Sequence, residues 1–169
     1  MRAATAQAAA RPLLALTAAD LMTAPVMTLT QETSLREAAR LLHGSRISGA
    51  PVVDAQGRCV GVLSSSGFIS WAENAEGGER RAATTFIAPW GELISVEESP
   101  DHEISRYMTA QPVTAPPSTP IGELCQQMVD IHIHRVLVVA DGDRPCGIVT
   151  STDVLAAVAR AARKAPREG

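Results

Sequence analysis

Aromatic residues are scarce in this chain: they make up 3% of its 169 residues, and both Phe and both Trp lie between positions 68 and 90. No basic run is interleaved with aromatics, as a surface that binds single strands by stacking would need. The formal net charge is −3, and 20% of the residues are charged. A chain with this charge has no overall electrostatic attraction to the phosphate backbone of a nucleic acid. We therefore expect no nucleic acid partner.

Cysteines and long apolar runs are also few. Cys59, Cys125 and Cys146 form no CxxC pair, and each lies in an apolar stretch, which is typical of reduced core thiols in a cytosolic protein. No stretch is long and apolar enough to span a bilayer. Residues 1–16 are alanine-rich, but an Arg-Pro pair interrupts the run that a signal peptide would need. We expect a flexible tail there, a cytoplasmic location and no membrane partner.

An internal repeat is the clearest positive signal. The run from Gly61 to Gly67 recurs, imperfectly, from Gly147 to Asp153, 86 residues further along the chain. A glycine, two apolar residues and a hydroxyl describe a strand that runs directly into the start of a helix. The second copy closes with an aspartate where the first has a glycine, so the same element occurs twice with different chemistry.

The offset of 86 extends upstream of these two runs, which indicates a true repeat. Thr33 recurs as Thr119, and we expect both to be N-caps, with Pro120 at the first helical position. The apolar residues that follow are spaced i, i+3, i+4, i+7, which predicts one buried helix face in each copy. These are Leu35, Ala38, Ala39 and Leu42 in the first copy and Ile121, Leu124, Cys125 and Met128 in the second.

The domain organisation follows from the repeat. We expect a tail at 1–16, a first repeat at 17–74, an insertion or linker at 75–102, a second repeat at 103–164 and a C-terminal tail at 165–169. Each repeat is predicted to hold a short extended lead, a helix, two strands joined by a turn and a second helix. Neither repeat can cover both faces of its sheet alone, so we expect them to stack as a pseudo-twofold pair with a ligand cleft between them.

The insertion at 75–102 begins polar and then turns apolar. One interpretation of the clustered aromatics is that they fasten this insertion onto the surface of the fold. The other is that they form a patch for a second subunit or another partner. The residues concerned are Phe68, Trp71, Phe86 and Trp90.

The second strand–helix junction carries chemistry that suits a nucleotide. Thr150 leaves the strand and Asp153 lies in the first turn of the helix, where unpaired N–H groups and the helix dipole favour an anion. Thr150 would add a hydroxyl donor to a phosphate, and Asp153 would accept both hydroxyls of a ribose. The same Thr-x-x-Asp pattern is also a capping box, which needs no ligand. Both roles can coexist in the free protein.

Basic and imidazole side chains lie beside the neighbouring strand. Arg135 is a candidate for pairing with phosphate, and a solvated arginine at the strand end is the alternative. His132 and His134 are predicted to alternate on one strand face. No third ligand accompanies them at a useful spacing, so we expect no metal.

The first copy of the junction lacks the acid. Gly67 stands in its place, so Ser64 and Ser66 can hold a phosphate while no carboxylate clamps the sugar. Arg46 lies in the region that matches His132. We expect this second site to be weak, empty or altered in its specificity.

The ordered set of motifs resembles a tandem pair of cystathionine-beta-synthase-type (CBS) domains, a Bateman module, over about 17–164. The supporting motifs are Tyr107-Met108-Thr109, Ile133-His134-Arg135-Val136 and Gly147 to Asp153, with their weaker first copies. The resemblance implies an α/β fold with a β-α-β-β-α arrangement in each repeat. It also implies a homodimer that forms through the CBS helices.

The resemblance further implies a sensor that binds an adenosine-containing ligand: AMP, ADP, ATP or S-adenosylmethionine. The chain has no room for a catalytic domain, so we expect a stand-alone regulatory module that acts through an unidentified effector protein. Val113 and Thr114 would offer backbone groups and an apolar wall to adenine. The expected site residues are Thr150, Ser151, Asp153, Arg135, His134, Val136, Val113 and Thr114, with Ser64, Ser66 and Arg46 at the weaker second site.

Two other hypotheses come from different functional classes. One is a ligand-free dimerisation or partner-docking module that keeps only the fold. The other is a small enzyme, which the sequence does not favour. It has no Gly-x-Ser-x-Gly nucleophile elbow, no zinc pattern and no paired acids near a basic residue, so we expect no catalysis.

Overall fold

A computed structural model of the chain describes residues 12–74, 83–87, 93–97 and 103–164. The chain divides into two compact units, which we call the central unit and the terminal unit. The central unit is formed by residues 27–112. The terminal unit combines the residues up to 26 with those from 113 onwards.

Short helices and strands alternate along the chain. In chain order they are α1 (Ala18–Leu21), β1 (Leu29–Thr30), α2 (Leu35–Ser45), β2 (Gly49–Val53), β3 (Cys59–Ser64), α3 (Ser65–Asn74), β4 (Ala83–Ile87), β5 (Leu93–Glu97), β6 (Thr109–Ala110), β7 (Thr114–Ala115), α4 (Ile121–Asp130), β8 (Arg135–Ala140), β9 (Arg144–Thr150) and α5 (Ser151–Lys164). Two 3-10 turns, Leu13–Ala15 and Ile104–Arg106, precede α1 and β6.

The predicted β-α-β-β-α order is confirmed in both units. It is β1-α2-β2-β3-α3 in the central unit and β7-α4-β8-β9-α5 in the terminal unit. In each unit the first strand pairs in parallel with the second, which pairs antiparallel with the third. A parallel neighbour requires a crossover connection, and α2 and α4 supply it.

The two crossover helices bury the faces that the apolar spacing predicts. Leu35, Ala38, Ala39 and Leu42 of α2 are buried in the central core, and Ile121, Leu124 and Met128 of α4 in the terminal core. Cys125 is half-buried against the terminal core. All three cysteines are half-buried and lie outside any disulfide.

The predicted N-caps are wrong by one residue. Ser34, not Thr33, caps α2, and its hydroxyl accepts from the Glu37 amide at 3.2 Å. The Thr33 hydroxyl instead accepts from the Thr30 amide, also at 3.2 Å. In the second copy Pro120 is itself the N-cap, with no side-chain cap bond, because α4 begins at Ile121. The local hydrogen bonds of the preceding turn therefore set each helix start.

Each repeat lends its leading segment to the unit built from the other repeat. We use "leading segments" for residues 17–26, before the first repeat, and 103–112, before the second. In the terminal unit, Ala18 and Leu21 of the first leading segment are buried in the core. Thr23 and Ile148 exchange two backbone hydrogen bonds, of 2.9 and 3.2 Å. The buried core also takes in Leu16, which lies within the predicted tail.

The second leading segment closes the central unit in the same way. Ile104 is 0% exposed and belongs to the central core. Strand β6 extends the central sheet by pairing antiparallel with β3, at Gly61↔Ala110 and Val62↔Thr109. The central sheet therefore has the order β1-β2-β3-β6, and the terminal sheet the order β7-β8-β9.

The predicted insertion contains the antiparallel pair of β4 and β5. Phe68 lies before it, in α3, and is buried in the central core. The side chains of Trp71, Phe86 and Trp90 lie outside the described part of the structure, so the two interpretations of the aromatic cluster remain predictions. The same holds for the tails at 1–11 and 165–169. Among the described helices, none has the length and apolar character needed to cross a membrane.

Candidate functional site

The candidate site is the end of the terminal sheet where β9 runs into α5. Thr150 is the last residue of β9, and Ser151 and Asp153 lie in the first turn of α5. Arg135, the first residue of the antiparallel strand β8, is the direct partner of Thr150. The predicted residues Arg135, Thr150, Ser151 and Asp153 therefore meet at one sheet end. All four are half-buried.

Thr150 and Asp153 form the capping box that the spacing permits. The Thr150 amide and hydroxyl donate to the same oxygen, Asp153 Oδ2, at 2.8 and 2.6 Å. The Asp153 amide donates to the Thr150 hydroxyl at 3.3 Å. The Thr150 hydroxyl proton is thus committed to Asp153 in the free chain. Asp153 Oδ1 takes no part in the hydrogen bonds found among the described residues.

A second Thr-x-x-Asp box occurs in the same unit. The Thr17 amide and hydroxyl donate to Asp20 Oδ2 at 2.9 and 3.0 Å. This box begins the four-residue helix α1 and follows no strand. The capping geometry therefore does not by itself indicate a ligand. Asp153 differs from Asp20 in its place at a sheet end, opposite an arginine.

The two histidines do not alternate on a strand, so that prediction is wrong. Strand β8 begins at Arg135, and His132 lies in the preceding turn with a left-handed φ of 56°. The turn follows directly from the end of α4 and leaves no room for an extended lead. The His134 carbonyl accepts the Ser151 amide at 2.9 Å and so ties β8 to the start of α5. Within the described ranges no three His, Cys, Asp or Glu side chains gather as a metal site would require.

The predicted adenine-side residues have mixed exposure. Val136 is fully buried in the terminal core, so its side chain is not open to a ligand. The Val113 carbonyl accepts the Leu137 amide at 3.1 Å, and its side chain packs against the same core. Thr114, in β7, is exposed. Val113 and Thr114 lie beside β8, two strands away from Thr150.

Thr152 belongs to this site although the sequence patterns did not select it. It lies between Ser151 and Asp153, whose amides donate to His134 and Thr150. No described side chain accepts the Thr152 amide, and its hydroxyl is on an exposed residue. The capping-box pattern in the sequence could have indicated Thr152, because such a box uses the N-cap and N3 residues and leaves the N2 residue to solvent or ligand.

The first junction has the same backbone plan with different side chains. The Ser64 and Ser66 hydroxyls lie 2.9 Å apart and bond to each other. Ser64 is paired with Gly49, where the second junction pairs Thr150 with an arginine. Arg46 is exposed at the end of α2 with a left-handed φ of 54°, which matches the φ of His132. It therefore ends a helix and does not replace the missing strand arginine.

Gly67 fills the position of the second-junction acid for a steric reason. A Cβ atom there would lie 2.5 Å from the Tyr107 carbonyl oxygen and 3.0 Å from Leu63 Cδ1. Both distances are too short for an ordinary contact with carbon. The backbone of the second leading segment thus occupies the space next to this helix start.

Comparisons with known proteins agree with this architecture. The CBS domain family model matches residues 18–74 and 104–160, once on each repeat. The solved CBS domain pair of protein MJ0100, in complex with 5'-methylthioadenosine and S-adenosyl-L-methionine, has a TM-score of 0.64 at 26% identity, covering 85% of this chain and 96% of that one. The CBS domain of a membrane protein from Sphaerobacter thermophilus has a TM-score of 0.64 at 31% identity, covering 89% of this chain and 93% of that one.

A curated relative is much longer than this chain. The A-adding tRNA nucleotidyltransferase of Geobacter sulfurreducens is 30% identical over 139 residues, which is 82% of this chain but 13% of that enzyme. The similarity is therefore confined to a small part of the enzyme. Two family matches in tandem, each on a β-α-β-β-α unit, show that the chain belongs to the CBS domain family.

Proposed function

We propose that the chain is a regulatory module that binds an adenosine-containing ligand at the second junction and signals through a partner protein. The observation that carries the proposal is the meeting of Arg135, Thr150 and Asp153 at one sheet end. A neighbour at 26% identity holds two adenosine compounds, 5'-methylthioadenosine and S-adenosyl-L-methionine. Because the group common to both is adenosine, the ribose contact is central to the proposal.

Asp153 is suited to accept hydrogen bonds from a ribose. Its Oδ2 is held by two donors from Thr150, which fixes the orientation of the carboxylate. A ribose has two neighbouring hydroxyl donors, and Oδ1 is an acceptor with no bond among the described residues. The capping box thus orients the acid before a ligand arrives, which lowers the entropic cost of binding.

A phosphate would lie at the start of α5. This helix has 14 residues, and its dipole favours an anion at the first turn. The Thr150 hydroxyl already donates to Asp153, so we assign the anion contact to the Ser151 and Thr152 hydroxyls, the Thr152 amide and Arg135. The His134 carbonyl fixes Ser151 in this arrangement. We assign Val113 and Thr114 to the adenine side, through backbone groups and an apolar edge.

We propose a weak or empty site at the first junction. Ser64 and Ser66 bond to each other, and the positions of the arginine and the acid are both glycine. Arg46, the third residue of this predicted second site, is exposed at a helix end. A phosphate would meet hydroxyls there but no carboxylate for the sugar.

We further propose that the chain forms a homodimer through its helices. Leu155 is 66% exposed and Val158 is 44% exposed on α5, and with Ala159 and Ala162 they make one apolar stripe at i, i+3, i+4, i+7. Val129 is 68% exposed at the end of α4. Such unpartnered apolar side chains favour burial against a second copy. A monomeric mass in light scattering at micromolar concentration would refute the dimer.

The same apolar stripe supports a second candidate function, a ligand-free dimerisation or docking module. In that case the Thr150–Asp153 box is only a helix cap, as the Thr17–Asp20 box is. Neither function involves catalysis by this chain. We place the protein in the cytoplasm, with an effector protein as the recipient of its signal.

Thermal unfolding with added ligand separates the two functions. AMP, ATP, S-adenosyl-L-methionine and 5'-methylthioadenosine are each added up to millimolar concentration. A ligand at 100 times its Kd stabilises the folded chain by about 2.7 kcal/mol. A larger effect of AMP than of 5'-methylthioadenosine would support the phosphate contact. If none of the four raises the melting temperature, the docking function is favoured.

The matched variants Asp153→Ala and Asp20→Ala test the site itself. Each removes the acid of one Thr-x-x-Asp box in the same unit, so each should cost about 0.5–2 kcal/mol of stability through the lost cap. Only Asp153→Ala should also abolish the ligand-induced rise in melting temperature. An Asp153→Ala variant with a normal rise would refute the assignment of the ribose contact.

A further inference from the structure

We propose that Gly67 allows the backbone of the second leading segment to pack against the first junction, a contact that we call the anchor. The anchor excludes from this junction a nucleotide site in which a carboxylate binds the ribose. The exclusion rests on the proposed function, because it concerns which junction binds the ligand. The anchoring itself is a property of the ligand-free chain and is tested separately below.

The anchor is a close approach of two backbones. Gly67 is buried in the first turn of α3, and a Cβ there would meet the Tyr107 carbonyl oxygen at 2.5 Å. A backbone oxygen cannot rotate away as the end of a side chain can. Only a residue without a Cβ lets the segment pass this close to the helix.

The segment on the other side of this contact is held at several points. The Tyr107 and Met108 amides both donate to the Ile104 carbonyl, at 3.0 and 2.9 Å. The Ile104 side chain is fully buried, and its amide donates to the Thr33 carbonyl at 3.1 Å. Downstream, Thr109 pairs with Val62 in the central sheet. Tyr107 therefore has little freedom to retreat from a larger residue at position 67.

An aspartate at position 67 meets a second obstacle, which is electrostatic. Its carboxylate would start from a buried position beside a carbonyl oxygen, which also carries partial negative charge. Burial penalises a charged group strongly, and the Ser64 hydroxyl, which bonds to Ser66 in the native chain, would have to be recruited as its donor. The first junction also lacks the cation of the second, since Gly49 stands opposite Ser64. Restoring the acid alone would therefore not create a ribose site.

Of the two contacts that the leading segment makes with glycines of the central unit, the described part of the terminal unit repeats the one with methionine but not the one at the helix start. Met22 of the first leading segment lies against Gly147, as Met108 lies against Gly61 in the central unit. At the helix start, however, Asp153 has a half-buried side chain that turns back to Thr150. The methionine–glycine contact is common to both units, and the contact at Gly67 distinguishes the central one.

The anchored segment leads directly to the nucleotide side of the chain. Only Gln111 and Pro112 separate Ala110, the end of β6, from Val113. Val113 and Thr114 are the residues proposed to line the adenine. Anchoring at Gly67 thus fixes the start of the connection that leads into β7.

The anchor is tested without ligand, by comparing Gly67→Ala with Gly44→Ala and Gly122→Ala. A Cβ at Gly44 or Gly122 meets nothing within 4 Å, so these helix variants should keep or raise the melting temperature. Gly67→Ala should lower the melting temperature by roughly 3–10 °C, as overpacking does. Hydrogen exchange at the Tyr107 and Met108 amides should accelerate in this variant alone. If Gly67→Ala is as stable as Gly44→Ala and leaves both amides protected, the anchor is refuted.

The exclusion is tested by calorimetric titration with AMP. The wild-type chain should bind one AMP per chain, Asp153→Gly none, and Gly67→Ala still one at temperatures where it is folded. Gly67→Asp should gain no second AMP and should melt below Gly67→Ala. A second AMP bound by Gly67→Asp would overturn the exclusion. If the wild type binds no AMP while Gly67→Ala is destabilised, the anchor stands and the AMP assignment of the proposed function fails.

Discussion

The two strand–helix junctions have one backbone plan and two uses. In the terminal unit an arginine faces Thr150 across the sheet, and Asp153 turns back to cap the helix. In the central unit glycines occupy both corresponding positions, Gly49 and Gly67. Both junctions therefore connect a strand to a helix, and the proposed ligand site lies at the one whose helix start carries an acid in place of a glycine.

The two leading segments also differ in secondary structure and in the contacts that they make. The first forms the helix α1 and contacts the sheet through Thr23 and Met22. The second forms a 3-10 turn and then the strand β6, which brings its backbone against both β3 and the start of α3. The approach of the second segment to α3 coincides with a glycine at position 67, whereas Asp153 stands at the matching position of the terminal unit.

The largest expected effect concerns the cores that the leading segments complete. Ile104→Ala and Leu21→Ala each remove a buried side chain of an exchanged segment. Each should lower the free energy of unfolding by about 2–5 kcal/mol, because a cavity is left in a packed core. Chemical denaturation measures this, with Leu14→Ala as the control, because the Leu14 side chain is 83% exposed and lies outside the helices proposed for the dimer. If Ile104→Ala had a small effect while Leu21→Ala had a large one, the two leading segments would not contribute equally to their cores.

Alanine substitutions at Gly61 and Gly147, the glycines that contact Met108 and Met22, should lower stability by intermediate and unequal amounts. The three atoms nearest to a Cβ at Gly147 all belong to the Met22 side chain, whereas a Cβ at Gly61 also meets the Thr109 carbonyl oxygen at 2.9 Å. We expect Gly61→Ala to cost about 1–3 kcal/mol and Gly147→Ala less, because a methionine side chain can move.

Double variants sharpen this difference. Adding Met22→Ala to Gly147→Ala should recover stability relative to the sum of the single effects, since the two closest atoms, Met22 Sδ and Cγ, are removed. Adding Met108→Ala to Gly61→Ala should recover less, because the backbone oxygen remains. Equal recovery in the two denaturation experiments would show that the segments pack alike.

The smallest expected effect separates the two hairpin turns. Asp54 closes the turn between β2 and β3 by accepting the Gln56 and Arg58 amides, both at 2.9 Å. The bonds from Arg58, first from its backbone amide and then from its side chain, hold the pKa of Asp54 below its usual value of 3.8. Both turns contain a left-handed glycine, Gly57 with φ of 78° and Gly142 with φ of 73°, but the second turn adds a left-handed aspartate, Asp143, with φ of 58°.

Asp54→Asn should therefore lower the melting temperature slightly at neutral pH. Because the folded-state pKa is depressed, the contribution of Asp54 is present above the unfolded pKa and is lost as pH falls through the folded value. The difference from wild type should shrink in melting curves recorded below pH 3.8. Asp143→Asn is the control, since asparagine tolerates the same left-handed conformation. A pH-independent difference for Asp54→Asn would contradict the charge argument.

Local patterns predicted much of the fold. The offset of 86 and the i, i+3, i+4, i+7 spacing identified α2 and α4 and their buried faces. The two strands predicted in each repeat are β2 and β3 in the central unit and β8 and β9 in the terminal unit. These signals succeed because periodicity reflects which side of an element is buried, and that is recorded in the chain itself.

The same patterns failed where hydrogen bonds crossed element boundaries. Thr33 resembles an N-cap, but its hydroxyl is used by Thr30, and Ser34 takes the capping role. His132 was placed on a strand, but it lies in the turn that ends α4. Local patterns do not indicate Thr152, because the role of its amide and hydroxyl depends on the hydrogen bonds that Ser151 and Asp153 already make.

Residue type and spacing along single stretches of chain already encode the repeat, the order of elements in each unit and the pair Thr150 and Asp153 at a strand–helix junction. Contacts between distant stretches of chain instead bring each leading segment into the unit of the other repeat and place Arg135 opposite Thr150. The tertiary structure also decided the meaning of Gly67. In the sequence this residue is a missing acid, whereas in the fold the Tyr107 carbonyl lies where a side chain would begin. That contact joins residues 40 positions apart, and no local pattern encodes such a distance in space.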